Sequence, residues 1–222
     1  MRVYHYLETR WALDDIRRRR LKLSKIDDMN DPYEWRCVRS SHPATQAALE
    51  RTASEVVERY GIECFSRTWK SILMWSHYGD KHRGICLGFD VPDEVTRPVD
   101  YVPDVQTVGS LMVERREDFS AEHGVKMIDR LCGAKYAGWS YEEEIRIHGE
   151  RKEIDEETGH YFVEFGERLR LKEVIAGPRF PFSRKPIEDA LKGYAEEVAI
   201  VKATASATNF EIIIDHDGLR AA

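Results

Sequence analysis

Cysteine is scarce in this chain: four residues in 222, at positions 37, 64, 86 and 132. None belongs to a C-x-x-C pair or a zinc-ribbon spacing, so the thiols are expected to be free in a reducing compartment. No apolar run approaches the ~20 residues of a membrane helix. The first residues, MRVYHYLETRW, carry no apolar signal segment, and the expected setting is cytoplasmic, without membrane contact. Glycine-rich phosphate loops are missing too. The chain has no G-x-G-x-x-G, Walker loop, G-x-S-x-G elbow or H-E-x-x-H, which removes support from common nucleotide-fold and hydrolase readings. Nor is positive charge in excess. Lys and Arg number 34 against 40 Asp and Glu, a net charge of −6, which argues against a broad nucleic-acid surface and leaves room for a local basic groove.

What is present describes an ordinary globular protein, 42% hydrophobic and 33% charged. The densest stretch is Ser71 to Asp90, SILMWSHYGDKHRGICLGFD. Ile72, Trp75 and Tyr78 share a helical face, Gly79 is expected at the helix end where positive φ is wanted, and Gly84 to Phe89 reads as a buried strand. Upstream, RVYHYL predicts a first strand, with Val3, His5 and Leu7 on one face and Tyr4 and Tyr6 on the other. Thr9 caps a predicted helix over 10–20 that ends in four arginines, a basic run that suits the negative end of a helix dipole. LKLS alternates as a strand, and Ser41 with Pro43 opens a helix to Tyr60. IECFS, VDYV, YFVEF, LRLKEVIAG, EVAIV and NFEIII read as further strands. Residues 104–116 fit helix and strand equally, a helix is expected from Phe119 to Ala134, and Pro186 opens one to about residue 196. Strands and helices do not alternate regularly. The expected architecture is one α+β domain over residues 1–222, with a mixed or antiparallel sheet flanked by helices.

Chemistry concentrates in Tyr141-Glu142-Glu143-Glu144-Ile145-Arg146. In a strand Glu142 and Glu144 point the same way, with Arg146 beyond them and Glu143 opposite. Two carboxylates on one face repel, so a cation or a substrate proton is needed between them; Arg146 serves equally well in a plain surface ladder of charges. His5 interrupts an otherwise apolar strand, a position that more often holds a hydrogen-bonded structural histidine. Asn30-Asp31-Pro32 reads alone as a turn. His77, Asp80 and His82 do not gather on one helical face, so no metal is expected.

Taken together, these pieces resemble one family. Tyr4-His5-Tyr6, Asn30-Asp31-Pro32, Cys64-Phe65-Ser66, Met74-Trp75-Ser76-x-Tyr78, Gly84-x-Cys86-x-Gly88-Phe89 and Trp139-x-Tyr141-Glu142-x-Glu144-x-Arg146 look like the largely bacterial domain of unknown function numbered 2971. The resemblance runs from residue 3 to about 180; residues 181–222 stay unassigned. The family's layout is similar in turn to ADP-ribosyltransferase-like folds, which implies a split sheet and NAD as substrate. On that likeness Glu142 and Glu144 are the catalytic carboxylates, and His5, Tyr6, Asn30, Ser76, Tyr78 and Arg146 bind the dinucleotide. The implied activity is ADP-ribosyl transfer from NAD to a protein or nucleic acid, by a toxin or phage-defence effector restrained by an antitoxin or regulatory protein. The alternatives are an inactive nucleotide- or protein-binding module of the same fold, and a nuclease or other hydrolase.

Overall fold

The computed structural model describes residues 1–25, 28–34, 36–108, 133–181 and 183–216. In chain order its elements are β1 (Arg2–Leu7), α1 (Thr9–Arg18), β2 (Arg20–Leu23), β3 (Val38–Arg39), α2 (Pro43–Arg59), β4 (Tyr60–Ser66), α3 (Ile72–His77), β5 (Ile85–Asp90), β6 (Arg97–Pro98), β7 (Asp100–Val102), β8 (Gln106–Thr107), β9 (Ala134–Tyr136), β10 (Glu144–Glu150), β11 (Tyr161–Glu164), β12 (Arg170–Ala176), α4 (Lys185–Ala190), β13 (Ala199–Ala205) and β14 (Ile212–Ile214). Among the described residues, eight strands form one sheet in the order β14-β13-β12-β5-β1-β4-β10-β6. Only β12 and β13 pair in parallel within it, so the sheet is mixed and largely antiparallel. Three two-stranded pairs, β11-β2, β3-β8 and β7-β9, lie beside it.

The alternation of β1 sorts the two faces. Val3, His5 and Leu7 pair with Phe89, Leu87 and Ile85 of β5 and face the larger core. On that face α1 buries Ala12 and Ile16, and α4 buries Ile187 and Ala190. The Tyr194 hydroxyl donates to the Ile16 carbonyl at 2.7 Å. Tyr6 looks the other way, edge-on to Trp75 of α3, over a second apolar cluster with Met74, Cys86, Ile175 and Ile212. Each fully buried Ile, Leu or Phe here contributes about 1.5–3 kcal/mol of transfer free energy, so β5, apolar and buried on both faces, lies at the centre. Its neighbours β1 and β12 keep it from any edge.

Several expectations shift in detail. Thr9 does not cap α1: the cap position is Glu8, and the Thr9 hydroxyl donates instead to the Arg83 carbonyl. Two of the four arginines are pinned, Arg18 to Asp14 and Glu157 and Arg20 to Asp155, while Arg19 ends the helix at φ 53°. α2 starts after His42 and runs straight into β4. The helix opened by Pro186 stops at Ala190, short of 196. Gly79 does not take the positive φ after α3; Asp80, Lys81 and His82 do. Glycine is needed at 79 for another reason, because a Cβ there would sit 2.6 Å from the buried Trp75 ring. The helix expected from Phe119 and most of the ambiguous 104–116 stretch lie outside the described residues, as does Cys132. The unassigned end of the chain supplies β13 and β14 at one sheet edge. The three described cysteines are free thiols, and no described helix is long and apolar enough to cross a membrane.

Candidate functional site

Strand β10 sets the site. Ile145 pairs with Phe65 and enters the larger core, so Glu144, paired with Ser66, and Arg146, paired with Cys64, project from the opposite face. Tyr4 pairs with Ser66 and shares that face. Glu142 arrives differently from expectation. Residues Ala137–Glu142 form a 3-10 helix, Glu143 turns at φ 45°, and the strand begins only at Glu144. Strand periodicity therefore does not align the two glutamates.

A lysine does. Lys135 of β9 places its Nζ 2.5 Å from Glu142 Oε2 and 2.9 Å from Glu144 Oε2. Arg146 donates from Nε to Glu144 Oε1 at 2.7 Å and from Nη2 to Glu144 Oε2 at 3.1 Å. Its Nη1 lies 2.7 Å from Glu34 Oε1. Toward the surface, Tyr78 donates its hydroxyl to Glu142 Oε1 at 2.5 Å, and Asn30 Nδ2 donates to the Tyr78 oxygen at 2.7 Å. A continuous chain results, Asn30–Tyr78–Glu142–Lys135–Glu144–Arg146–Glu34, buried from Glu142 to Glu34, with Tyr78 half-buried and Asn30 exposed.

Charge in this chain is unevenly held. Burial alone would raise Glu144, but Arg146 and Lys135 outweigh it and hold the carboxyl at about 2. Both cations are held firmly protonated by the same carboxylates, against the opposing effect of burial. Burial pushes Glu34 up, with only partial relief from Arg146. Burial, and then the hydrogen bond to Glu142, raise Tyr78, keeping its hydroxyl a donor. The backbone N–H of Glu144 donates to the Tyr101 hydroxyl at 2.8 Å, which ties β7 to the strand.

Aromatic rings flank the Glu142 end. Tyr78, His77, Tyr141 and Trp139 follow one another with centroids 6.1, 5.9 and 6.0 Å apart, and His77 and Tyr141 are stacked. Lys135 Nζ lies 5.5 Å from the Trp139 ring centre.

Of the residues singled out by sequence, Asn30, Tyr78, Glu142, Glu144 and Arg146 come together. The other three do not. His5 projects from the opposite sheet face, edge-on to Phe65, with its Nδ1 2.9 Å from the Cys64 carbonyl; burial lowers its pKa. Tyr6 is core, its hydroxyl donated to the Thr68 carbonyl. Ser76 is exposed on α3 and makes no hydrogen bond to the cluster. Arg146 is fully buried and bound to two carboxylates, so it is unsuited to holding a cofactor. Sequence reasoning missed Lys135 and Glu34. The signal for Lys135 was the need for a cation beyond Arg146 between two like charges. Glu34, two residues past Pro32 in a turn-rich segment, offered none. Among the described residues no group of three His, Cys, Asp or Glu side chains is placed to hold a metal ion.

Residues 74–147, which carry Tyr78, Lys135, Glu142, Glu144 and Arg146, match the model of a family described as a protein of unknown function, DUF2971. No curated protein and no solved structure gives a significant match to the chain.

Proposed function

We propose that this chain is an NAD-consuming transferase of the ADP-ribosyl type that moves ADP-ribose onto a macromolecule, with Glu142 as the working carboxylate. The observation that carries the reading is the position of Glu142, a carboxylate between the Tyr78 hydroxyl and the Lys135 ammonium, beside four aromatic rings. In such a reaction the nicotinamide–ribose bond breaks, nicotinamide leaves with the bonding pair, and positive charge develops on the sugar carbon. A fixed carboxylate stabilises that charge in a site shielded from water. Aromatic faces orient the ring, and Asn30, exposed beside Tyr78, offers hydrogen bonds that align the substrate. The target nucleophile then attacks the same carbon and gives up its proton to the Glu142 carboxylate. In this reading Glu144 supports rather than reacts, because both its oxygens are held by cations, whereas one oxygen of Glu142 is held only by the neutral Tyr78 hydroxyl.

That engagement favours a second reading, a nucleotide-binding module without turnover. Incubating the purified chain with NAD labelled in the ADP-ribose part, together with crude cell extract, separates the two. Transfer of label to a macromolecule is the expected result. Binding of NAD by calorimetry without transfer would favour the second reading, and neither binding nor transfer would remove both.

A further inference from the structure

We propose that Tyr78 is itself an acceptor of ADP-ribose, a self-modification site built against Glu142. The inference rests on the transfer reading above for its chemistry and adds a residue that receives the group. In that chemistry the attacking nucleophile surrenders its proton to Glu142. Among the described residues two groups contact the Glu142 carboxylate, the Lys135 ammonium at Oε2 and the Tyr78 hydroxyl at Oε1, each at 2.5 Å. Lys135 is no nucleophile, because it is held protonated between two carboxylates. The Tyr78 hydroxyl is neutral, and its proton already points at the oxygen that takes it. The other nearby hydroxyls are not so placed. Ser76, exposed on α3, and Tyr141, stacked on His77, make no hydrogen bond to the carboxylate, and the Tyr101 hydroxyl is held at the backbone N–H of Glu144.

Access favours the same oxygen. Tyr78 ends α3 and is half-buried, and its other hydrogen-bond partner is the exposed Asn30, whose Nδ2 donates to it at 2.7 Å. Glu142 lies behind it, 3% exposed, so a sugar carbon arriving from solvent meets the Tyr78 oxygen before the carboxylate. In the step itself, the Tyr78 oxygen bonds to the sugar carbon as the nicotinamide–ribose bond breaks. Nicotinamide leaves with the bonding pair, and the phenolic proton passes to Glu142 Oε1. A carboxylate within hydrogen-bond reach of a hydroxyl is the arrangement that general-base activation requires. The resulting aryl glycoside has no proton left for Glu142, so Tyr78 is modified once and then carries the group over its own carboxylate.

The test is incubation of the purified chain with NAD, with and without crude cell extract, followed by peptide mass spectrometry. Without extract, an ADP-ribosyl group is expected on the peptide that contains Tyr78. Its rate of appearance should not depend on protein concentration, because Tyr78 and Glu142 belong to one chain. The adduct should survive neutral hydroxylamine, as an aryl glycoside does and a glutamyl ester does not. Tyr78→Phe keeps the ring beside His77 and should lose the adduct, and Glu142→Gln should lower its yield at least about a hundredfold. Circular dichroism establishes that both variants are folded. An adduct confined to other residues, or one undiminished in folded Glu142→Gln, would overturn the proposal. Label on extract macromolecules with Tyr78 unmodified would overturn it too and leave the transfer reading standing. No label on the chain or on any macromolecule would overturn both.

Discussion

At the residue scale, Lys135 does most to hold the site together. It is 2% exposed and lies against two carboxylates at once. Breaking a buried ion pair from one side costs about 3–5 kcal/mol, because the remaining charge keeps its desolvation penalty and loses its partner. Lys135→Met is therefore expected to lower stability by about that amount in urea unfolding; a loss below about 1 kcal/mol would show that the pairing is not structural. A second titration acts in the opposite direction on the far face of the sheet. Asp15 of α1 is raised from 3.8 to about 7, first by burial and then by Asp14, with Arg20 opposing. Glu63, also buried there, is raised by burial and by Asp15. The folded state thus binds more protons than the unfolded one, and stability falls as pH rises from about 4 to about 7. Glu144 behaves the other way: its stabilisation is present above 4.5 and is lost as pH falls toward about 2. Denaturant midpoints measured across pH should flatten between 4 and 7 in Asp15→Asn; an unchanged slope would assign the loss to other groups.

At the element scale, the turn between α3 and β5 couples the site to the sheet. Asp80, Lys81 and His82 all have positive φ, at 46°, 52° and 73°. L-residues there carry about 1–2 kcal/mol each of steric strain. Three hydrogen bonds offset it: His82 N–H to Trp75 O, Arg83 N–H to Asp80 O and Gly84 N–H to Gly79 O. Gly84 closes the turn, and a Cβ there would fall 2.1 Å from the Leu7 carbonyl oxygen, a backbone atom fixed between paired strands. Gly84→Ala should destabilise by at least about 2 kcal/mol in thermal or urea unfolding; a neutral effect would mean that β1 and β5 can separate cheaply. This stretch also marks the limit of sequence reading. Trp75, Ile85, Leu87 and Phe89 are buried as their pattern suggested. The left-handed run was not legible, because nothing in Asp-Lys-His announces it; the hydrogen bonds that impose it come from the surrounding fold.

At the scale of the whole molecule, local periodicity gave most strands and the α+β class, since side-chain alternation survives folding in β1, β4 and β10. The strand order was not legible, because β5 pairs with β1 and β12 across long separations. The candidate cluster was legible in half. Glu142, Glu144, Arg146, Tyr78 and Asn30 converge, although the alignment of the two glutamates rests on Lys135 rather than on a strand. His5 lies apart from the cluster because a β-strand shows which residues share a face, not which face a cluster will occupy. The most direct measurement is label transfer from NAD by Glu142→Gln beside the unaltered chain. The amide oxygen can keep the hydrogen bond from Tyr78, and Lys135 keeps Glu144, so this variant is expected to fold, at a lowered melting temperature because Lys135 loses one of its two carboxylates. The account predicts that transfer falls by at least about a hundredfold, the scale set by loss of one electrostatic stabiliser. Undiminished transfer by the folded variant would contradict it.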